Sequence, residues 1–138
     1  MEAVAYAAGK SSTRMVLAGR LLSALPILFL LFDAVMKLVR PLPAPVLEAA
    51  GKLGYAPSSM PVIGALLLVC VLIYAIARTA VLGAILLTGY LGGAVATHLR
   101  VGDPLFSHIL FPVYVGVLVW GGVFLREERV RQLVPFRR

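Results

Sequence analysis

Residues 60–77 read MPVIGALLLVCVLIYAIA, and residues 79–97 read TAVLGAILLTGYLGGAVAT. Neither stretch contains Asp, Glu, Lys or Arg, and a single arginine, Arg78, separates them. About 20 apolar residues in a helix cross a hydrocarbon core of about 30 Å. Because lipid offers the backbone no hydrogen-bond partners, such stretches must be helical. The two stretches therefore predict a tight pair of antiparallel membrane helices.

Two more apolar stretches flank this pair. Residues 105–125 carry no Asp, Glu, Lys or Arg, and a longer stretch near the N-terminus carries few charges. The hydrophobic fraction of the chain is 61%, against about 45–50% in soluble domains. We therefore predict an all-α fold, an integral membrane four-helix bundle that forms one domain over residues 15–125. Its spans are predicted at about 15–38, 60–77, 79–98 and 105–125.

The connection between the first two spans contains the signals of a short helix. Prolines precede it, and proline is favourable in the first turn of a helix. Gly54 is suited to end it. Glu48 and Lys52 are four residues apart, in the order that favours an ion pair on a helix surface. We expect a short interfacial helix in this first outer loop.

Lysine and arginine are distributed unevenly between the two sides of the predicted bundle. Nine lie on the side of the termini and four on the other, which places both termini in the cytoplasm. Residues 1–14 are then a mobile cytoplasmic tail, and residues 126–138 a basic cytoplasmic tail near anionic lipid. We attribute the net charge of +7 to basic residues that contact anionic lipid head groups. No nucleic-acid partner is predicted.

Polar side chains collect at the outer ends of three spans. Asp33 lies inside the first span and needs a partner there, and Lys37 follows one helical turn later. Other polar residues end the third span, occupy the next turn and open the fourth span, with two tyrosines beneath them. An apolar pocket with a few convergent polar groups is the usual form of a ligand site. The candidate ligand-binding residues are Asp33, Lys37, Tyr90, Thr97, His98, Arg100, Asp103, His108 and Tyr114.

This rim has several interpretations. It could hold the head of a small amphipathic ligand such as a quinone, with histidine and carboxylate exchanging protons near neutral pH. It could instead be a self-satisfied network that caps helices and fixes loops. Two histidines near carboxylates could also ligate a metal, but their spacing matches no metal motif, and no metal site is predicted.

The third span is rich in glycine. Gly89 and Gly93 form a GxxxG pair, and Gly92 lies between them. Such residues let helix backbones approach closely. We interpret all three as helix-packing residues within the bundle, with a homo-oligomer contact through this span as the alternative. Pro26 and Pro112 are each expected to kink their helix.

Recognisable catalytic motifs are absent from the sequence. It contains no Walker motif, no HExxH, no GxSxG and no dinucleotide fingerprint, so no cofactor is evident. Its one cysteine, Cys70, cannot form an internal disulfide or a CxxC pair. Because the four spans occupy most of the residues, we expect no soluble catalytic domain.

Several strings together resemble a known family. Residues 88–102 read TGYLGGAVATHLRVG, residues 111–114 read FPVY and residues 120–122 read WGG. These strings resemble the DoxX-like family of small bacterial membrane proteins, and the likeness extends from about Arg20 to Pro135. The resemblance implies four membrane helices in the bacterial inner membrane. Some relatives are membrane subunits of thiosulfate:quinone oxidoreductase, and others associate with membrane redox enzymes.

The resemblance suggests a function class. We expect an accessory component of a membrane redox system, working with a redox partner protein, or a binder of a small amphipathic ligand such as a quinone. The alternatives are a catalytic quinone-linked oxidoreductase subunit and a purely structural membrane assembly protein.

Overall fold

A computed structural model describes residues 12–133 of the chain. Four long helices make up most of it, and the described residues contain no strand. The predicted all-α four-helix bundle is confirmed. The long helices are α1 (Thr13–Leu38), α3 (Met60–Ala75), α4 (Ala80–Arg100) and α5 (Phe111–Arg126), and the short ones are α2 (Ala44–Leu53) and α6 (Glu128–Leu133).

Each long helix belongs to a segment that is long and apolar enough to cross a membrane. Large apolar side chains such as Leu28, Val62 and Val117 point outward and are exposed, as lipid-facing residues would be. The membrane-crossing segments are Thr13–Leu38, Pro57–Ala75, Ala77–Arg100 and Leu105–Arg126.

The four long helices form a ring. α1 packs against α3 and α5, and α4 packs against the same two helices from the opposite side. Leu30, Leu67, Leu87 and Val119, one from each long helix, lie buried in the centre. We call the end that carries α2 the α2 end, and the end that carries the short α3–α4 connection the hairpin end.

Glycines set the closest helix contacts. A Cβ atom at Gly83 of α4 would fall on the backbone of Tyr74 in α3, and one at Gly122 of α5 would fall on Ser23 of α1. Gly64 packs in the same way against Lys37 and its neighbours. Small residues thus allow the helices to touch where they do.

The three glycines that the sequence predicts at helix contacts are not among these close-packed glycines. No atom of another element lies within 4 Å of a Cβ built at Gly89, Gly92 or Gly93. The structure therefore does not assign them to helix contacts within the chain. Their alternative role, contact with a second copy of the chain, stays a prediction.

A polar cluster lies inside the bundle towards the hairpin end. Tyr74 is fully buried, and its hydroxyl lies 2.9 Å from Ser23 Oγ and 2.8 Å from the Val119 carbonyl oxygen. The Arg126 guanidinium lies 5.4 Å from the centre of the Tyr74 ring, a distance at which a cation is attracted to an aromatic face. This cluster joins α1, α3 and α5.

The two connections at the α2 end have different shapes. α2 begins after Pro43 and ends at Gly54, whose positive φ of 74° suits glycine, as the sequence predicts. α5 follows a single π-helical turn at Leu105–Ile109. Pro112 therefore lies in the first turn of α5 rather than within a helix that it could kink.

The predicted tails lie partly outside the described residues. Residues 1–11 and 134–138 are not described, so the mobility and the location of the tails stay predictions. Thr13 and Arg14, which were assigned to the N-terminal tail, already belong to α1. At the other end, Arg126 closes α5 and the short helix α6 follows.

Candidate functional site

A cavity of about 720 Å³ occupies the α2 end of the bundle. All four long helices contribute to its walls, and α2 covers it. Most of the lining is apolar, with Leu30, Ile63, Leu91 and Val115 as examples. This volume and lining are typical of sites that hold small, largely hydrophobic molecules.

Five of the nine candidate residues line this cavity, and four do not. The structure brings together polar side chains from α1 and from α4. The lining members are Asp33, Lys37, Tyr90, Thr97 and His98, and the members outside the cavity are Arg100, Asp103, His108 and Tyr114.

Asp33 and Lys37 form an ion pair on α1. They lie one turn apart on the helix, and both side chains are partly buried. Since a carboxylate and an ammonium in contact offset each other's charge, the pair adds hydrogen-bonding atoms to the cavity wall but no net charge. The predicted pairing is thus present in the structure.

Asp103 lies in the turn after α4, and its carboxylate joins two other segments. Its Oδ1 is 2.8 Å from Lys52 Nζ, and its Oδ2 is 2.6 Å from His98 Nδ1. The hydrogen bond from Lys52, followed by that from His98, lowers the pKa of Asp103 from 3.8 to about 2. Asp103 is therefore a carboxylate at neutral pH, although it is buried.

This carboxylate orients His98. With Nδ1 held by Asp103, Nε2 is the ring nitrogen left for a molecule in the cavity. The ring of His108 meets the His98 ring edge-on at a centroid distance of 5.8 Å. In a neutral His98, Nδ1 donates to the carboxylate and Nε2 can accept a hydrogen bond from a hydroxyl group.

Three polar contacts fasten α2 and the residues just after it over the cavity. Lys52 pairs with Asp103, Arg100 donates to the carbonyl oxygen of Leu53, and the Tyr55 hydroxyl lies 3.0 Å from Thr97 Oγ1. Two of these contacts involve candidate residues outside the cavity. Arg100 and Asp103 thus act on the cover of the cavity rather than on its interior.

Comparison with known proteins places the chain in a family. A family model described as DoxX-like matches residues 21–122. The chain belongs to the DoxX-like family. The matched region runs from α1 into α5 and includes every residue that lines the cavity. No curated protein and no solved structure matches the chain.

Family membership and the four apolar segments make this DoxX-like chain a multi-pass membrane protein. The cavity lies inside the membrane-crossing bundle, towards one of its ends. A ligand would therefore reach it either past α2 or from the lipid.

One candidate residue of this DoxX-like protein lies elsewhere than expected. Tyr114 was expected to line the cavity, but its side chain is 46% exposed on the outside of α5. Pro112 and Val115 of α5 line the cavity instead. His108 turns its Nδ1 to the neighbouring Ser107 hydroxyl at 2.8 Å.

Sequence reasoning missed Lys52 and Tyr55 as parts of this site. Lys52 was matched with Glu48 along one helix, whereas the structure pairs it with Asp103. The available signal was that Lys52 is the one basic residue of α2 and that Asp103 is the one acidic residue between the third and fourth spans. Within residues 12–133, no group of three or more His, Cys, Asp or Glu side chains could hold a metal ion.

Proposed function

We propose that this DoxX-like protein binds a small amphipathic molecule with a quinone-like head in the cavity beneath α2. The observation that carries the proposal is the cavity itself: apolar walls, with polar groups gathered towards one end. An amphipathic ligand would match this division, with its head near Tyr90 and His98 and its apolar part against the apolar walls.

The charges of the lining favour an uncharged head group. Asp33 and Lys37 neutralise each other, so the cavity wall offers no single charge to pair with a phosphate or an ammonium. The Tyr90 hydroxyl and the free nitrogen of His98 offer hydrogen bonds instead. A quinone or quinol head, which is flat, uncharged and rich in oxygen, suits such a lining.

The His98–Asp103 pair favours a role in proton exchange. A neutral His98 can accept a proton from a quinol hydroxyl, and the nearby carboxylate stabilises the imidazolium that results. This observation supports the second candidate function, a quinone-linked oxidoreductase subunit. The electrons would then pass to a partner protein, because the single cysteine excludes internal dithiol chemistry. We favour the accessory, ligand-binding role in a membrane redox system.

The proposed setting is the bacterial inner membrane, with both termini in the cytoplasm. Nine of the lysine and arginine residues lie at the hairpin end and in the tails, and four lie at the α2 end. Cytoplasmic loops carry the excess of these residues. The cavity and α2 would then lie at the outer face of the membrane.

A photoreactive benzoquinone with a prenyl tail tests the proposal. The purified protein in lipid nanodiscs should be labelled at residues that line the cavity. His98→Ala should weaken saturable labelling on the order of tenfold, the effect of losing a buried hydrogen bond to the ligand. Tyr114→Ala is the control, because it removes an aromatic side chain that lies on the outside of α5 and does not line the cavity.

The result that contradicts the proposal is equally specific. Labelling that does not saturate, that is insensitive to His98→Ala, or that falls on lipid-facing residues such as Val62 would show that the probe merely dissolves in the surrounding lipid.

A further inference from the structure

α3 and α4 are in tight contact at Gly83, near the hairpin end, and α4 makes no comparable contact at Gly89 or Gly93. At Gly83 the two backbones meet so closely that a Cβ would overlap Tyr74. Gly89 and Gly93 lie further along α4 and line the cavity. No atom of another element lies within 4 Å of a Cβ built at either position. The gap begins about 9 Å from the tight contact, at 1.5 Å of helix rise per residue.

The gap connects the cavity with the outside of the bundle. Gly89 and Gly93 both line the cavity and are exposed. Across from them, Leu66 of α3 also lines the cavity, and it is 57% exposed. Residues on both sides of the gap therefore face the interior and the lipid at once, which defines a lateral opening.

Direct side-chain contacts lie across two other sides of the cavity. Between α1 and α5, the rings of Phe29 and Phe111 contact each other edge-to-face at a centroid distance of 5.3 Å. At the α2 end, α2 is fastened by its contacts with Asp103, Arg100 and Thr97. No atom of another element lies within 4 Å of a Cβ built at Gly89 or Gly93, so the wall of the cavity offers a path to the hydrocarbon region there.

We propose that this opening is a portal for the hydrocarbon tail of the ligand, which makes the ligand a single-tailed, lipid-soluble quinone or quinol. The inference rests on the proposed function and adds to it the tail of the ligand and its path. The head lies near Tyr90 and His98, and the tail leaves between Leu66 and the two glycines. Without side chains, Gly89 and Gly93 give the tail a smooth helix surface along which to lie.

Substitutions that fill the portal test this inference. Gly89→Leu and Gly93→Leu place a side chain in the gap, where the structure offers open space, so the bundle should still fold. Gly92→Leu is the matched control: Gly92 lies on the same helix, is exposed and has equally open space, but it does not line the cavity.

Two probes with one head separate the portal from the head site. One is a tail-less dimethoxy-methyl-benzoquinone, and the other carries the same head with a decyl tail. We expect Gly89→Leu and Gly93→Leu to weaken binding of the tailed probe on the order of tenfold and to leave the tail-less probe unchanged. Gly92→Leu should change neither, and a photoreactive group on the tail should label Leu66.

Each contrary result has its own meaning. Equal loss of both probes would show that the glycines border the head, and unchanged binding of the tailed probe would show that the tail leaves elsewhere. An equal effect of Gly92→Leu would mean that the loss does not come from the gap. Each of these results rejects the portal while quinone binding stands, whereas failure of the unmodified protein to bind either probe rejects the proposed function.

Discussion

A single carboxylate, that of Asp103, holds together the turn after α4, the end of α4 and α2. It does so through Lys52 and His98. The same group fixes the position of the imidazole that faces the cavity and fastens the helix that covers it. We therefore expect its removal to affect both the cover and the ligand site.

The first prediction concerns Asp103→Asn. Because the folded state lowers the pKa of Asp103 from 3.8 to about 2, the ionised carboxylate stabilises the fold above about pH 4, and this contribution is lost as the pH falls towards 2. Asp103→Asn should lower the Tm in detergent by a few degrees at pH 6, and the difference from the unmodified protein should shrink as the pH falls to about 3. Hydrogen exchange in Ala44–Leu53 should rise.

Glu48→Gln provides the control for this experiment. It removes a carboxylate from the exposed surface of α2, so it should change neither the Tm nor the exchange of α2. A constant Tm difference between Asp103→Asn and the unmodified protein from pH 6 to pH 3 would contradict the assigned role of the carboxylate.

At the level of elements, glycines decide where helices touch and where they separate. Gly83 holds α4 against α3, and Gly122 holds α5 against α1. Gly89 and Gly93, on the same helix as Gly83, border open space. One residue type thus serves two purposes in α4, contact at the hairpin end and access at the α2 end.

The element-scale prediction compares two substitutions on α4. Gly83→Ala forces a methyl group against the backbone of Tyr74 and should destabilise the bundle by about 1–3 kcal/mol, as overpacking does. Gly92→Ala meets no atom of another element within 4 Å and should be neutral, or stabilising by up to about 1 kcal/mol through helix propensity. Unfolding in mixed micelles measures both, and equal losses would contradict the packing.

At the level of the whole molecule, orientation decides which compartment the covered end of the bundle faces. The excess of lysine and arginine at the hairpin end and in the tails predicts that this end is cytoplasmic. The cavity and its portal would then open into the outer leaflet of the membrane.

Reporter fusions test this orientation. After Arg138, a reporter that works only in the cytoplasm should be active. At Ser58, a reporter that works only after export should be active. A reporter at Arg78, in the α3–α4 connection, should behave like the C-terminal one. The opposite pattern at all three positions would reverse the proposed topology.

Properties that act along one helix could be predicted from the sequence. The apolar stretches give the four long helices, because lipid leaves no other fold open to them. The pairing of Asp33 with Lys37 follows from their spacing of one turn. The end of α2 at Gly54 likewise follows from a local rule.

Properties that depend on how helices meet could not be predicted in the same way. The Lys52–Asp103 pair joins two separate connections, so it depends on the direction in which α2 lies across the bundle. Nothing in the composition of α4 distinguishes Gly83, which packs, from Gly89, which does not. The exposure of Tyr114 depends on which face of α5 packs against the neighbouring helices.

The ring arrangement also sets an order of assembly. The contact between Gly19 and Gly122 joins the first long helix with the last, so it can form only after nearly the whole chain has been synthesised. Until then α1, α3 and α4 surround an interior that is open on one side, and the Tyr74 hydroxyl lacks the Val119 carbonyl oxygen that it later meets. The packing of α5 therefore closes the ring and supplies that oxygen in the same step. A chain truncated before α5 would leave Tyr74 facing lipid.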